Sequence, residues 1–265
     1  MSYQTRLNHA FEKAPTLPIN QHTRYVFFSD CHRGIGNKND NFLQNKACYL
    51  SALQYYYQCD FTYIEVGDGD ELWENYTLMQ IMETHDDIFK QLCHFHKKNR
   101  LYMLYGNHDM AKKCCENPFH NLTIYEGIIF QSRCPDYSLY VTHGHQADFL
   151  NSVLWKLARF LVRYLWTPLE GIGITDPTSA SKCRTKKSKL EKKYIHYAKS
   201  FQRPLLVGHT HKETLGNEQT PYYNCGCCVH PDYITCIELY GYEIRLIQFH
   251  NSSLKREVMA SEMLV

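Results

Sequence analysis

The sequence lacks any uninterrupted apolar run long enough to cross a bilayer. The longest candidate, Phe149 to Trp166, is broken by Lys156, Arg159 and Arg163, and a spanning helix needs about 20 mostly uncharged residues. It also lacks a charge of one sign. Lys and Arg number 29 against 27 Asp and Glu, leaving +2, so no global field argues for nucleic acid as a specific partner. The first twenty residues, MSYQTRLNHAFEKAPTLPIN, contain no continuous apolar core of a secretory leader; a cytoplasmic chain is expected. There is no internal repeat, no Gly/Ser linker and no pair of Cys-x-x-Cys knuckles, although the chain has 12 Cys. Cys225, Cys227 and Cys228 and the pair Cys114-Cys115 therefore read as thiols rather than as a disulfide framework or a zinc ribbon.

What is present is a set of short apolar strands, each ending in a polar, metal-ligating turn. Tyr25–Ser29, Phe61–Val66, Leu101–Tyr105, Leu139–Thr142 and Pro204–Val207 read as buried strands. Segments 41–57 and 78–98 between them carry apolar residues at helical spacing. Strand–helix alternation argues for an α/β body around buried sheet. After Pro221, the runs Tyr222–Asn224, Thr235–Tyr240 and Glu243–Phe249 read as a closing β-meander. The expected layout is an N-terminal segment 1–24, a catalytic-type domain 25–250 and a tail 251–265. An insertion at 148–200 interrupts the domain.

Five strand ends carry Ser29-Asp30-Cys31-His32-Arg33, Gly67-Asp68-Gly69-Asp70-Glu71, Gly106-Asn107-His108-Asp109, Thr142-His143-Gly144-His145 and Gly208-His209-Thr210-His211. In open α/β sheets, ligands bind beyond the carboxyl ends of strands, where such loops converge. Asp, Asn and His together are hard to borderline donors, suited to Mn²⁺ first, with Fe or Zn²⁺ as alternatives. Seven ligands are too many for one tetrahedral ion and suit two ions about 3.5–4 Å apart sharing a carboxylate. Cys31, between two of these residues on extended backbone, points the other way and is expected to pack.

In this order and spacing the motifs resemble the calcineurin-like metallophosphoesterase superfamily over about residues 25–250. The resemblance implies a two-sheet β-sandwich flanked by helices. It implies one ion held by Asp30, His32, Asp68 and His211, and a second by Asp68, Asn107, His143 and His209. It implies hydrolysis of a phosphodiester or pyrophosphate by a metal-bridging hydroxide, with His108 as general acid steadied by Asp109. Arg33 is expected as a phosphate clamp. The family's usual Gly-Asp-x-x-Asp ends here in Glu71, expected to support the ligands from behind, and His145 is expected to face substrate or to back a ligand. A phosphomonoesterase or protein phosphatase of the same fold is one alternative; a metal-binding scaffold without turnover is the other.

The insertion begins with an amphipathic stretch whose polar stripe is Ser152, Lys156, Arg159 and Arg163. A helix packed on the body is the expectation. The alternative is a lid showing apolar surface to a lipidic substrate or a membrane interface. In outline the insertion resembles the helical cap of UDP-2,3-diacylglucosamine hydrolase-like enzymes, which implies a small phosphoester, nucleotide-linked or lipidic, as substrate. The basic run Lys182–Lys193 is expected as a solvated helix face, with attraction of a pyrophosphate as the alternative.

Overall fold

The computed structural model describes residues 1–113, 117, 119–134, 136–166 and 184–264. Two sheets face each other. The larger runs β12-β11-β10-β2-β3-β4-β5 and the smaller β1-β6-β7-β8-β9. In the larger sheet the apolar runs form β2 (Arg24–Phe28), β3 (Thr62–Glu65) and β4 (Leu101–Leu104), parallel to one another, with the short β5 (Ile124–Tyr125) at one edge. The meander β10 (Tyr233–Tyr240) and β11 (Glu243–His250) extends the other side, through an antiparallel β10–β2 pairing. In the smaller sheet β7 (Asp136–Thr142), β8 (Leu205–Val207) and β9 (Tyr222–Asn224) are parallel, while β6 (Gly127–Arg133) pairs antiparallel with β7 and parallel with β1 (Thr16–Pro18). This two-sheet, helix-flanked architecture is the fold class expected.

Helices cover the outer faces. Tyr49, Ala52, Leu53 and Tyr56 of α2 (Lys46–Gln58) and Ile88, Phe89, Leu92 and Phe95 of α4 (Asp86–Lys97) recur every three or four residues and join one core with Val26, Phe28 and Tyr63. Segment 78–98 is two helices, α3 (Leu78–Thr84) and α4, separated at His85. A second core between the sheets holds Phe27, Ile64, Leu104, Phe130, Val141 and Leu206. Cys31 packs in the first core as expected.

Two expectations about segments change. The N-terminal segment is integral: α1 (Tyr3–His9) buries Leu7, and β1 pairs with β6. The supposed tail contains β12 (Arg256–Met263), which pairs antiparallel along β11. Backbone pairing, not a buried face, makes that strand, since nearly all its side chains are exposed.

The insertion starts with α5 (Phe149–Ser152), α6 (Trp155–Leu161) and a π-helical turn, Val162–Trp166, and resumes as α7 (Arg184–Ser200). It packs the opposite way from a usual amphipathic helix. Arg163 of the polar stripe donates to Trp73 O at 2.7 Å, Leu72 O at 3.0 Å and Asn75 O at 2.7 Å. Phe149, Val153, Leu157, Phe160 and Tyr164 are each half or more exposed. Among the described residues no helix is long and apolar enough to cross a membrane. Lys182, the Thr167-Pro168 and Gly171–Gly173 breaks and Cys114-Cys115 lie outside the described residues.

Candidate metal centre

All five motifs meet at the carboxyl ends of β2, β3, β4, β7 and β8, three strands from one sheet and two from the other. Backbone hydrogen bonds join the loops: Asp30 N to Gly67 O at 3.2 Å, His32 N to Asp68 O at 2.9 Å and Gly208 N to His143 O at 3.0 Å. Two glycines make the approach feasible. A Cβ on Gly106 would overlap the Asp68 carboxylate, and one on Gly208 would overlap Ser29 and the Asp30 carboxylate. Five candidate ligands adopt left-handed backbone: Asp30 (φ 53°), His32 (49°), Asp68 (51°), His209 (67°) and His211 (52°). Non-glycine residues there cost about 1–3 kcal/mol each, a strain that concentrates at functional sites.

The side chains form two adjoining clusters. In the first, Asp30, His32 and His211 bring one ligand atom each within 4.8 Å of the others; in the second, Asp68, His143 and His209 do the same. Asp68 lies between them. Its Oδ2 is 3.1 Å from His143 Nε2 and 3.9 Å from His32 Nε2. Asn107 completes the second cluster, with Oδ1 3.3 Å from His143 Nε2. The seven expected ligands are thus brought to one place.

Tautomers follow from the far side of each ring. His32 Nδ1 is 2.7 Å from Glu71 Oε2, and an ionised carboxylate only accepts, so Nδ1 carries the proton and Nε2 presents a lone pair. His143 Nδ1 donates to Val66 O at 2.8 Å, so its Nε2 does likewise. Lone-pair atoms therefore converge. His32 Nε2 and His211 Nε2 face each other at 3.2 Å. Asp30 Oδ1 lies 3.1 Å from His211 Nε2, with no donor aligned on it in hydrogen-bond geometry. Such a set is unfavourable alone and fits divalent cations, or protons in their place. The titration behaviour agrees. Burial alone would lower the histidines, yet Asp68 and Asp30 push His143 up to about 9, and Asp30 and Cys227 push His211 up to about 9. Against burial, the neighbouring imidazoles hold Asp30, Asp68 and Glu71 well below the usual carboxylate range.

His108 stands at the rim of the first cluster, partly exposed and stacked on Trp73 with ring centroids 4.2 Å apart. Its partner corrects one expectation. His108 Nδ1 binds Glu71, 2.7 Å from Oε2, whereas Asp109 turns inward to accept from Gly106 N at 2.7 Å, Gly69 N at 3.3 Å and Lys112 Nζ at 2.9 Å. The longer side chain of Glu71 reaches both His32 and His108. Asp109 fastens the loop instead.

Arg33 corrects another. It is fully buried, with Nε 2.7 Å from Asp70 Oδ1 and Nη1 2.8 Å from Glu65 Oε2, and has no exposed edge for a phosphate. His145 is buried beside His143, ring centroids 5.5 Å apart; burial and the His143 charge lower its pKa well below normal, so it is neutral. Sequence reasoning did not single out Trp73, Lys112 or Asp148, and took Lys186 only as one member of the basic run 182–193. Lys112, three residues after Asp109, and Asp148, five after His143, were close enough to a motif to be suspected; Trp73 left no signal.

No family model matches the chain, and neither does any curated protein. Among solved structures, vacuolar protein sorting 29 from Cryptosporidium parvum overlaps with a TM-score of 0.46 at 14% identity, over 92% of this chain and 100% of that one. A cold-active protein-tyrosine phosphatase of a psychrophilic Shewanella gives 0.43 at 14%, over 92% and 82%. A predicted phosphoesterase from Streptococcus pneumoniae gives 0.38 at 12%, over 89% and 97%. Overlaps this loose leave the chemistry to be read from the side chains themselves.

Proposed function

We propose that the chain is a metal-dependent phosphoric ester hydrolase of the calcineurin-like type, holding two divalent ions and cleaving a phosphodiester or pyrophosphate. One observation supports this: Asp68, whose carboxylate belongs to the cluster with His143 and His209, also lies 3.9 Å from His32 of the other cluster, where it could serve both ions. Asp30, His32, Asp68 and His211 would hold one ion, and Asp68, Asn107, His143 and His209 the other, with Mn²⁺ favoured by the donor set and Fe or Zn²⁺ as alternatives. When bound, such ions would neutralise the phosphoryl oxygens and activate water at neutral pH.

The protein's own part is proton delivery and positioning. Glu71 takes the Nδ1 proton of His108 as a hydrogen bond, which leaves Nε2 as the atom that protonates the departing alkoxide. Trp73 stacks on the ring and limits its rotation. Glu71 also fixes His32, so one carboxylate aligns a ligand and the acid together. The apolar face of the insertion, outward and close to the loop that carries Trp73, favours an amphiphilic or lipidic ester over a fully polar one.

The test is hydrolysis of aryl phosphodiesters in Mn²⁺. Asp68→Asn should abolish turnover. His108→Ala should keep metal and lose roughly 10²–10⁴ in rate on poor leaving groups, with a smaller loss on p-nitrophenolate. Equal losses on both would remove His108 as proton donor, and no hydrolysis by wild-type protein with two ions bound would favour a scaffold.

A further inference from the structure

Among the described residues, the insertion reaches the pocket through the acidic side chain of Asp148. Asp148, nearly buried, has Oδ2 3.7 Å from His209 Nε2, a ring atom that is itself buried and without a hydrogen bond. The same Oδ2 is 2.6 Å from Lys186 Nζ of α7 and 2.9 Å from Asn151 Nδ2, while Oδ1 accepts from Leu150 N at 3.2 Å. Helix α7 grips this loop at two further points: Lys193 Nζ donates to Ala147 O at 3.0 Å and Tyr194 Oη to Gly144 O at 3.0 Å.

We infer that Asp148 is a positioning residue for His209, that Lys186 is its counter-ion, and that α7 is thereby built into the second cation's pocket. The inference rests on the two-ion reading above. The His143 ring is anchored by Val66 O and the His32 ring by Glu71. Among the described residues no hydrogen bond reaches the His209 ring, although its backbone is left-handed and its N–H is tied to Asp30 Oδ2 at 2.9 Å. A carboxylate facing Nε2 keeps the proton on that atom and leaves Nδ1 to ligate, the usual arrangement behind a metal-bound imidazole. At 3.7 Å the contact is longer than a hydrogen bond, and a small rotation of the ring as Nδ1 engages a cation would close it. Lys186 already pairs with the oxygen that faces His209, so Asp148 does not itself require a cation. Among the described residues the first cluster has no such contact with α7, so the effect belongs to the second ion alone.

The experiment is calorimetric titration of metal-free full-length protein with MnCl₂, with bound metal counted by elemental analysis. Wild type should show two binding steps. Asp148→Asn should weaken the second by about 10–100-fold and leave the first unchanged. Lys186→Met should act on the same step in the same direction, and Lys186→Arg should restore it. Equal weakening of both steps, or no change in either, would overturn the inference. So would loss of the second ion at saturating Mn²⁺ in Asp148→Asn, which would make Asp148 a ligand. Should Asp148→Asn fail to fold, the Lys186→Met and Lys186→Arg pair decides alone. Fewer than two ions in wild type would sink the two-ion reading itself, and that failure is visible before any variant is made.

Discussion

Replacing Arg33 with Met should cost stability before it costs chemistry. The guanidinium lies at the centre of a fully buried cluster: Nη1 is 2.8 Å and Nη2 3.1 Å from the Glu65 carboxylate, and Nε is 2.7 Å from Asp70. Lys112, also buried, is 2.7 Å from Asp70, 2.9 Å from Asp109 and 3.9 Å from Glu65. Three carboxylates thus share two cations. Without Arg33, Glu65 keeps only the distant ammonium. Methionine replaces the apolar stem but not the guanidinium, whose carbon lies 5.2 Å from the Phe89 ring centroid. The loss is then mainly electrostatic, with a small cavity added. Removing one partner of a buried pair costs about 3–5 kcal/mol, against a total stability of about 5–15 kcal/mol. For a chain of this size that lowers Tm by about 6–20 °C.

The assay is urea and thermal unfolding of wild type, Arg33→Met, Glu65→Gln and the double variant, with kcat/KM on an aryl phosphodiester measured well below the transition. The double variant removes both the cation and the carboxylate it leaves unpaired, so it should be more stable than Arg33→Met alone, a coupling that a cycle isolates. At low temperature Arg33→Met should retain most of its turnover. If it melts like wild type but loses a hundredfold or more in kcat/KM, Arg33 touches phosphate and the burial argument is wrong.

Metal uptake should release protons. His143 and His211 are pushed up to about 9 in the metal-free protein, and against burial Asp30 and Glu71 raise His32 well above its ordinary value. At neutral pH each must therefore lose a proton to ligate, and Mn²⁺ affinity should rise with pH from 7 to about 9. Calorimetry at pH 7.5 in buffers of different ionisation enthalpy reads the number directly, and zero release would contradict the assignment. For the insertion, wild type should sediment with vesicles containing anionic lipid and Phe160→Glu should not, at equal melting temperature; indifference of wild type to vesicles would remove lipid from the substrate reading.

The strands that carry ligands were legible because each contains a short, largely apolar run stopped by a glycine or polar turn. β2, β3, β4 and β8 begin and end within a residue of expectation. β12 was not legible, since Arg256–Met263 exposes nearly every side chain and leaves no alternation to read. Direction was harder to read than membership. Arg33 directly follows a ligand motif, but a backbone bridge to Asp70 carries it into the body, where Glu65 waits at the end of β3. Asp109 is next to His108 in sequence, yet the carboxylate that meets the imidazole comes from the β3 loop, because a glutamate there is long enough to span two rings.

The left-handed residues explain why such a pocket needs the rest of the fold. Asp30, His32, Asp68, His209 and His211 together hold strain of about 5–15 kcal/mol at 1–3 kcal/mol each, comparable to the whole stability of a domain. Asp and His are among the residues that tolerate this conformation best, which keeps the true cost near the lower end. Even so, the loops cannot hold it alone. Cross-loop hydrogen bonds do: Asp30 N to Gly67 O, His32 N to Asp68 O, and His209 N to the Asp30 carboxylate. Behind them the Arg33–Lys112 cluster ties β2, β3 and the Asn107 loop together through Asp70, Glu65 and Asp109. Among the described residues no hydrogen bond or ion pair joins that cluster to a ligand side chain. The cluster's work is to keep three neighbouring loops of the larger sheet in register while ligands there sit in backbone conformations they would leave if released, so the pocket is shaped by the protein before any cation arrives.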